Sequence, residues 1–371
     1  MRNDYDVMSS SHRSRESVSN PASGPSRKMQ MEYANLGTSG LKTSRIILGA
    51  MSFGSSDWQP WVLNEADALP LLKHAYDRGI NTWDTADVYS NGLSERIIAH
   101  AIEKYRIPRS TLVLMTKIYF GVDEGGAQPG IASMGVNDGV LVNRVGLSRK
   151  HILDAVEACV GRLGTYIDVL QVHRLDRSVP REEVMRALND VVEKGWVRYL
   201  GASSMAAWEF QALQNMAEKH NWHKFISMQN YYNLLYREEE REMIPYCKET
   251  GVGIIPWSPL ARGVLTRRNH KTLRSSTDKF LSSQILSKLT PADDIIVSRV
   301  EEVARRHGVS MANVATAWSL SKGCSPILGL NSKERIDEAC RGVKLVSEGV
   351  LDEEDWAFLE EGYVAKGVTG Y

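Results

Sequence analysis

At 371 residues and 43% hydrophobic, the chain is long enough for one large domain of the α/β-barrel kind or for two ordinary domains with full cores. Forty-five Lys and Arg residues balance forty-five Asp and Glu, so no overall field draws the protein to nucleic acid or to an anionic membrane surface. The expected partner is a small molecule.

Residues 1–30 are rich in Ser, Pro and Gly and carry no apolar pattern, so they read as a disordered tail, with residues 31–371 as one domain. Asp4, Asp6 and Glu16 argue against a mitochondrial presequence. No apolar run approaches the ~18 residues that a membrane-spanning helix needs. Cys159, Cys247, Cys324 and Cys340 are widely spaced, with no C-x-x-C pair and no histidines at zinc-ligand intervals. That favours a reduced compartment, the cytoplasm being the expected one, and no metal.

A hairpin from Glu32 to Leu36 and from Leu41 onward, turning at Gly37-Thr-Ser-Gly40, precedes a first buried strand at Ile46–Leu48. Helical periodicity runs from Glu65 to Arg78, with Asn64 as N-cap and Gly79 as stop. The unit then repeats. Further strands are predicted at Asn81–Asp84, Leu112–Lys117, Ile167–Val172, Val197–Gly201, Ile226–Gln229, Gly253–Pro256 and Pro326–Leu328. Helices are predicted at Ser94–Tyr105, Arg149–Leu163, Arg181–Lys194, Ala206–Lys219, Glu238–Thr250, Asp293–His307 with Ser310–Ser321, Lys333–Arg341 and, outermost, Glu353–Tyr363. Eight strand and helix units in series predict a closed (β/α)8 TIM barrel rather than an open doubly wound sheet. The chain also lacks a dinucleotide fingerprint, since Gly251-Val-Gly253 precedes its strand. Tyr119–Gly146 and Leu260–Asp293 far exceed the about 2 to 6 residues usual for such connections, which marks them as closures over substrate and cofactor respectively.

In this layout Asp84, Lys117 and His173 end three successive strands, and Tyr89 lies in the loop after Asp84. Barrel active sites sit on that rim. A phenol titrates near pH ~10 and gives up its proton at neutral pH only with help. An ammonium at Lys117 favours the phenolate form of Tyr89, Asp84 orients the ammonium, and His173 donates to the same substrate oxygen. Taken singly, each residue is more often a packing group or an ordinary ion pair; together on one rim they describe a general acid for a carbonyl. What they lack is an electron donor, which points to a hydride cofactor.

Trp83-Asp84-Thr-Ala-Asp-Val-Tyr89, Met115-Thr-Lys117, Gln171-Val-His173, Gln229-Asn-Tyr-Tyr-Asn233 and Trp257-Ser-Pro-Leu-Ala-Arg-Gly263 together resemble the aldo-keto reductase superfamily over about residues 31–345. The closest-looking branch holds fungal aryl-alcohol dehydrogenase-like and polyketide reductase-like members. The resemblance implies a (β/α)8 barrel that binds NADPH or NADP+ in extended form without a Rossmann fold. It implies Tyr89 as general acid, Lys117 and Asp84 as its tuning pair, and His173 as the carbonyl-orienting residue. Ser203, Ser204 and Gln229 match positions that hold the nicotinamide carboxamide, and Trp257 matches the aromatic that stacks on its ring. Ser258, Leu260 and Arg262 match the pyrophosphate loop. Gly329-Leu-Asn-Ser332-Lys-Glu-Arg335 resembles the segment that grips the adenosine 2'-phosphate, through Ser332 and Arg335, with Glu338 toward the adenine. Arg335 and Glu338 also fit a surface ion pair at helical spacing. Two departures stand out: Ser203-Ser204 replaces the Ser-Asn of many members, and Gly329 stands where some branches carry a lysine.

The activity so implied is NADPH-dependent reduction of an aldehyde or ketone. Trp58, Trp61, Tyr119 and Phe120 are the expected substrate contacts, suiting an aryl or polyketide-like carbonyl better than a free sugar. Packing beneath a lid is their competing reading. The expected assembly is a monomer or weak homo-oligomer. The rival function is a cofactor-sensing regulatory subunit resembling the β-subunits of potassium channels.

Overall fold

The computed structural model describes residues 31–123, 135–268, 273–278, 281–282 and 286–370. The predicted tail, residues 1–30, lies outside the described residues, as do parts of both long loops. Strands β1 (Tyr33–Asn35) and β2 (Lys42–Ser44) form the expected antiparallel hairpin. Strands β3 (Ile47–Gly49), β4 (Thr82–Asp84), β5 (Val113–Ile118), β6 (Ile167–Val172), β7 (Val197–Ser203), β8 (Phe225–Gln229), β9 (Gly253–Ile254) and β10 (Ile327–Leu328) follow. They form one parallel sheet in the order β10-β3-β4-β5-β6-β7-β8-β9. Ser325 N donates to Ile254 O at 2.9 Å and Ile327 N to Pro256 O at 3.0 Å, so the two ends of the sheet meet and the (β/α)8 barrel closes.

Helices α1 (Glu65–Asp77), α2 (Leu93–Lys104), α3 (Arg149–Leu163), α4 (Arg181–Glu193), α5 (Ala207–His220), α6 (Met243–Thr250), α7 (Leu273–Thr277), α8 (Pro291–His307), α9 (Met311–Ser321), α10 (Lys333–Ser347) and α11 (Glu353–Glu360) complete the described elements. The barrel interior is a small apolar cluster of Leu36, Ile47, Val113, Met115, Val169, Ile255 and Ile327, while the larger core lies between strands and helices. Side chains alternate across a strand. Val113 and Met115 therefore point into the barrel, and the next residue on that face is Lys117. Val169 is likewise followed by Gln171 and His173. The alternation that builds an apolar floor delivers polar groups to the rim above it.

Three predicted elements differ in detail. The helix expected from Glu238 begins only at Met243, after a 3-10 turn at Glu238–Glu240. Pro245 fits this start, because proline has no N–H to give to a preceding turn and is best tolerated near a helix start. Asn64 has the extended backbone of an N-cap but makes no capping bond; its Oδ1 accepts from Ser56 N at 3.1 Å. Helix α10 runs to Ser347 rather than Arg341, passing close to α9 at Gly342, where an added Cβ would lie 3.3 Å from the Asn313 and Thr316 side chains.

Candidate active site

Lys117 is wholly buried, and its ammonium donates to Asp84 Oδ2 at 2.6 Å, Thr85 O at 2.8 Å and Tyr89 OH at 3.2 Å. An ammonium has three donors, and all three are used. Burial alone would pull the Lys117 pKa down, but the carboxylate of Asp84 and the phenol of Tyr89 outweigh it and raise the pKa above the ordinary lysine value. Asp84 Oδ1 accepts from Gln171 Nε2 at 2.8 Å and Gln229 Nε2 at 3.2 Å, and Gln229 Nε2 also donates to Gln171 Oε1 at 2.7 Å. The buried ion pair is thus held from two further strands.

Tyr89 opens a 3-10 turn, Tyr89–Gly92, just beyond β4. The His173 ring lies edge-on to it, with centroids 5.9 Å apart, and Phe120 meets His173 in the same manner at 5.1 Å. Burial, followed by the nearby charges of Lys117 and Arg174, holds the His173 pKa well below the usual histidine range, so the ring is neutral at neutral pH. Its Nδ1 is buried without a protein partner among the described residues.

Beside these groups opens a cavity of about 980 Å³. Its lining includes Asp84, Tyr89, His173, Trp61 and Phe120, then Ser203, Gln229, Trp257, Ser258, Leu260 and Arg262, and finally Arg335 and Glu338. One continuous space therefore joins most of the residues singled out in the sequence. Trp257 stacks one face on Tyr231, with centroids 4.5 Å apart, and its Nε1 donates to Ser204 Oγ at 3.1 Å. Ser204 is not part of the lining. Nor is Ser332, whose side chain caps α10 by accepting from Arg335 N at 3.3 Å. Trp58 and Tyr119 also stand behind the lining: Trp58 packs on Tyr89 at 6.3 Å and Tyr119 on Phe120 at 5.1 Å.

The loop after β9 is unusual in its backbone. Ser258, Ala261 and Arg262 have φ of +51°, +46° and +54°, in the left-handed region where non-glycine residues are uncommon. Such conformations gather where a backbone must face a ligand. Arg262 Nη1 donates to Asp278 Oδ2 at 2.9 Å, and Arg274 Nε reaches the same oxygen at 3.1 Å. Burial would raise the Asp278 pKa, but the two guanidinium groups and the Leu281 N–H hold it below the ordinary carboxylate value. The Arg274 guanidinium stacks over the Trp61 ring at 4.2 Å, bridging the loops after β9 and β3. Arg274 and Asp278 escaped sequence reasoning because their segment has no periodicity; the only available signal was the length of the loop. Gln171 was read as part of a motif but not as a partner of Asp84.

Residues 45–363 match the model of the aldo/keto reductase family. The chain belongs to the aldo/keto reductase family. Among its relatives, the versiconal hemiacetal acetate reductase of Aspergillus parasiticus is 60% identical, over 91% of this chain and 98% of that protein. A putative aryl-alcohol dehydrogenase of Schizosaccharomyces pombe is 54% identical over 91% of this chain and 97% of its own length. One from Saccharomyces cerevisiae is 51% identical, over 90% and 97%. As an aldo/keto reductase with such relatives, the protein is an oxidoreductase of small carbonyl compounds. Among the described residues, no helix is long and apolar enough to cross a membrane.

Proposed function

We propose that this aldo/keto reductase reduces an aryl or polyketide-like aldehyde or ketone with NADPH, using Tyr89 as the general acid. The observation that carries the reading is the buried Asp84, Lys117 and Tyr89 chain opening, with His173, into one end of the 980 Å³ cavity. The residues present suit a phosphorylated dinucleotide. Four guanidinium groups, Arg262, Arg267, Arg274 and Arg335, line the cavity away from Tyr89, against the carboxylates of Glu338 in the same lining and of Asp278 behind Arg262 and Arg274, a cationic excess that suits polyanionic phosphate. Trp257 lines the space between, supported on one ring face by Tyr231, and Ser203 and Gln229 offer polar groups to a carboxamide. When bound, the reduced nicotinamide supplies the hydride.

Chain residues account for the rest. Tyr89 donates its hydroxyl proton to the carbonyl oxygen as negative charge develops there. Lys117, charged and fixed by Asp84, favours the phenolate left on Tyr89. Neutral His173 offers a second hydrogen bond to the same oxygen, and its lowered pKa keeps it from competing as a charged acid. Trp61 and Phe120 supply flat apolar walls, which, with the names of the relatives, favours an aromatic substrate. Relatives named as reductases and dehydrogenases favour an enzyme over a regulatory subunit.

The test is NADPH oxidation against aryl aldehydes, ketones and short aldehydes, with wild type and Tyr89→Phe. Positioned acids contribute on the order of 10² to 10⁴ in rate. The variant is expected to lose turnover by at least about 100-fold while retaining NADPH binding. Undiminished turnover removes Tyr89 from the acid role.

A further inference from the structure

Most of the buried guanidinium groups among the described residues have a carboxylate; Arg45, at the far end of the barrel, bonds a backbone oxygen, Leu320 O, instead. Arg162 Nε meets Glu95 at 2.6 Å, Arg109 meets Asp168 at 2.5 Å, Arg262 and Arg274 share Asp278, and Arg237 meets Glu240 at 2.7 Å and Glu360 at 2.8 Å. Arg174 differs. It follows His173 at the mouth of β6, is half-buried, and lines the same cavity as Tyr89, Phe120 and His173. Its Nη1 donates to the backbone oxygen of its own neighbour, His173, at 2.6 Å. No carboxylate among the described residues pairs with it. Asp176, the nearest acid in sequence, is engaged elsewhere, accepting from Leu147 N at 2.9 Å and from Ser178.

A guanidinium carries five N–H donors in a planar fork. One bond to a carbonyl leaves the face that matches a carboxylate unused, in surroundings that are otherwise aromatic. Desolvation accordingly lowers the Arg174 pKa from its ordinary value, against the opposing influence of Tyr89 and Tyr119. A charge kept without its counter-ion at the wall of a cavity costs stability unless a ligand supplies that counter-ion. The other end of the cavity has its own arginines on the loop after β9 and on α10, whereas Arg174 stands with the reacting groups. Its anion therefore belongs to the substrate.

We infer that Arg174 binds an anionic oxygen of the substrate, a carboxylate or an ionised phenol remote from the reacting carbonyl, and thereby selects acidic aromatic carbonyls over neutral ones. This rests on the reductase reading of the same site. It adds to that reading a charge preference and the residue that sets it.

The test compares 4-formylbenzoate with its methyl ester, which share the ring and the aldehyde, in NADPH oxidation by wild type, Arg174→Gln and Arg174→Lys. The ratio of kcat/KM for acid over ester is expected to fall at least about tenfold in Arg174→Gln, mainly through KM for the acid, and to be partly retained in Arg174→Lys. A ratio unchanged within about twofold overturns the inference. Pairing 4-hydroxybenzaldehyde with 4-methoxybenzaldehyde, above and below the phenol pKa, separates phenolate from carboxylate recognition. A second measurement needs no turnover: calorimetric titration of benzoate and benzamide into the protein saturated with NADP+. Benzoate is expected to bind at least about tenfold more tightly than benzamide to wild type, with the preference lost in Arg174→Gln. Equal binding to wild type sinks the anion site whether or not the variants fold. If wild type turns over neither aldehyde, the reductase reading fails, while the benzoate titration still decides the fate of Arg174. If both are reduced without regard to charge, only the anion site fails.

Discussion

At the strand-borne end of the cavity, Lys117 is completely buried and makes three bonds, one to a carboxylate that two glutamines hold from other strands. At the loop-borne end, Arg262 and Arg274 share Asp278 within one long loop, and Arg335 stands exposed at the start of α10 with its side chain on Asn331. Both ends gather cations, but they hold them differently. The first is finished before any ligand arrives, as a proton-transfer site must be if its geometry is to survive each turnover. The second holds two of its cations on one carboxylate, Asp278, so in the proposed function phosphate binding there would be an exchange of partners.

The largest expected effect separates these designs. Removing one partner of a buried ion pair leaves the other charge without compensation, at a cost of about 3 to 5 kcal/mol. Lys117→Met strands Asp84 in this way and is expected to lower stability by about that amount in urea unfolding, besides abolishing reduction. A loss under about 1 kcal/mol would mean that the pair is not a structural part of the rim.

Arg335→Leu comes next. Charge-assisted hydrogen bonds contribute about 1.5 to 3 kcal/mol, so the Kd for NADPH is expected to rise about tenfold or more while that for NADH changes little. Stability should stay within about 0.5 kcal/mol, since the side chain is exposed. Fluorescence titration with both nucleotides at two salt concentrations measures the difference. Equal losses for NADPH and NADH would detach Arg335 from the 2'-phosphate.

These contrasts also explain what could be read from the chain. Strand alternation carries Asp84, Lys117, Gln171, His173 and Gln229 to one rim; a period of two and a count of eight strands placed Asp84, Lys117 and His173 there, while Gln229 entered only through the resemblance and Gln171 only as part of a motif. The loop-borne end obeys no period. Ser258 and Arg262 were legible through the resemblance of their motif, but Arg274 stacks on Trp61 across a separation that no local pattern encodes. The surroundings of Ser204 were not legible for a similar reason: its left-handed backbone, φ +37°, and its bond from Trp257 are tertiary facts. The helix expected from Glu238 starts at Met243 instead, a shift that Pro245, two residues inside that start, marks in the sequence.

The smallest expected effect tests how tightly the finished end is bound to the substrate loops. Ser90, Asn91 and Gly92, directly after Tyr89, have φ of +47°, +56° and +90°. Ser90 Oγ accepts from Ser55 N at 3.1 Å, a contact that needs Gly54, where a Cβ would sit 1.9 Å from that oxygen. Asn91 Oδ1 accepts from Asp123 N at 2.8 Å and its Nδ2 donates to Asp123 O. The turn carrying Tyr89 is thus tied to the loop that carries Phe120. Asn91→Ala loses both bonds and leaves alanine in a left-handed conformation, for about 2 kcal/mol together. Asn91→Gly loses the bonds but relieves the backbone, for about 1 kcal/mol. Both variants should raise KM for an aryl aldehyde by roughly threefold or more while leaving NADPH affinity alone, because Phe120 of the loosened loop stands in the cavity beside His173, away from the arginines. An equal loss of NADPH affinity would mean that the two ends of the cavity are mechanically one.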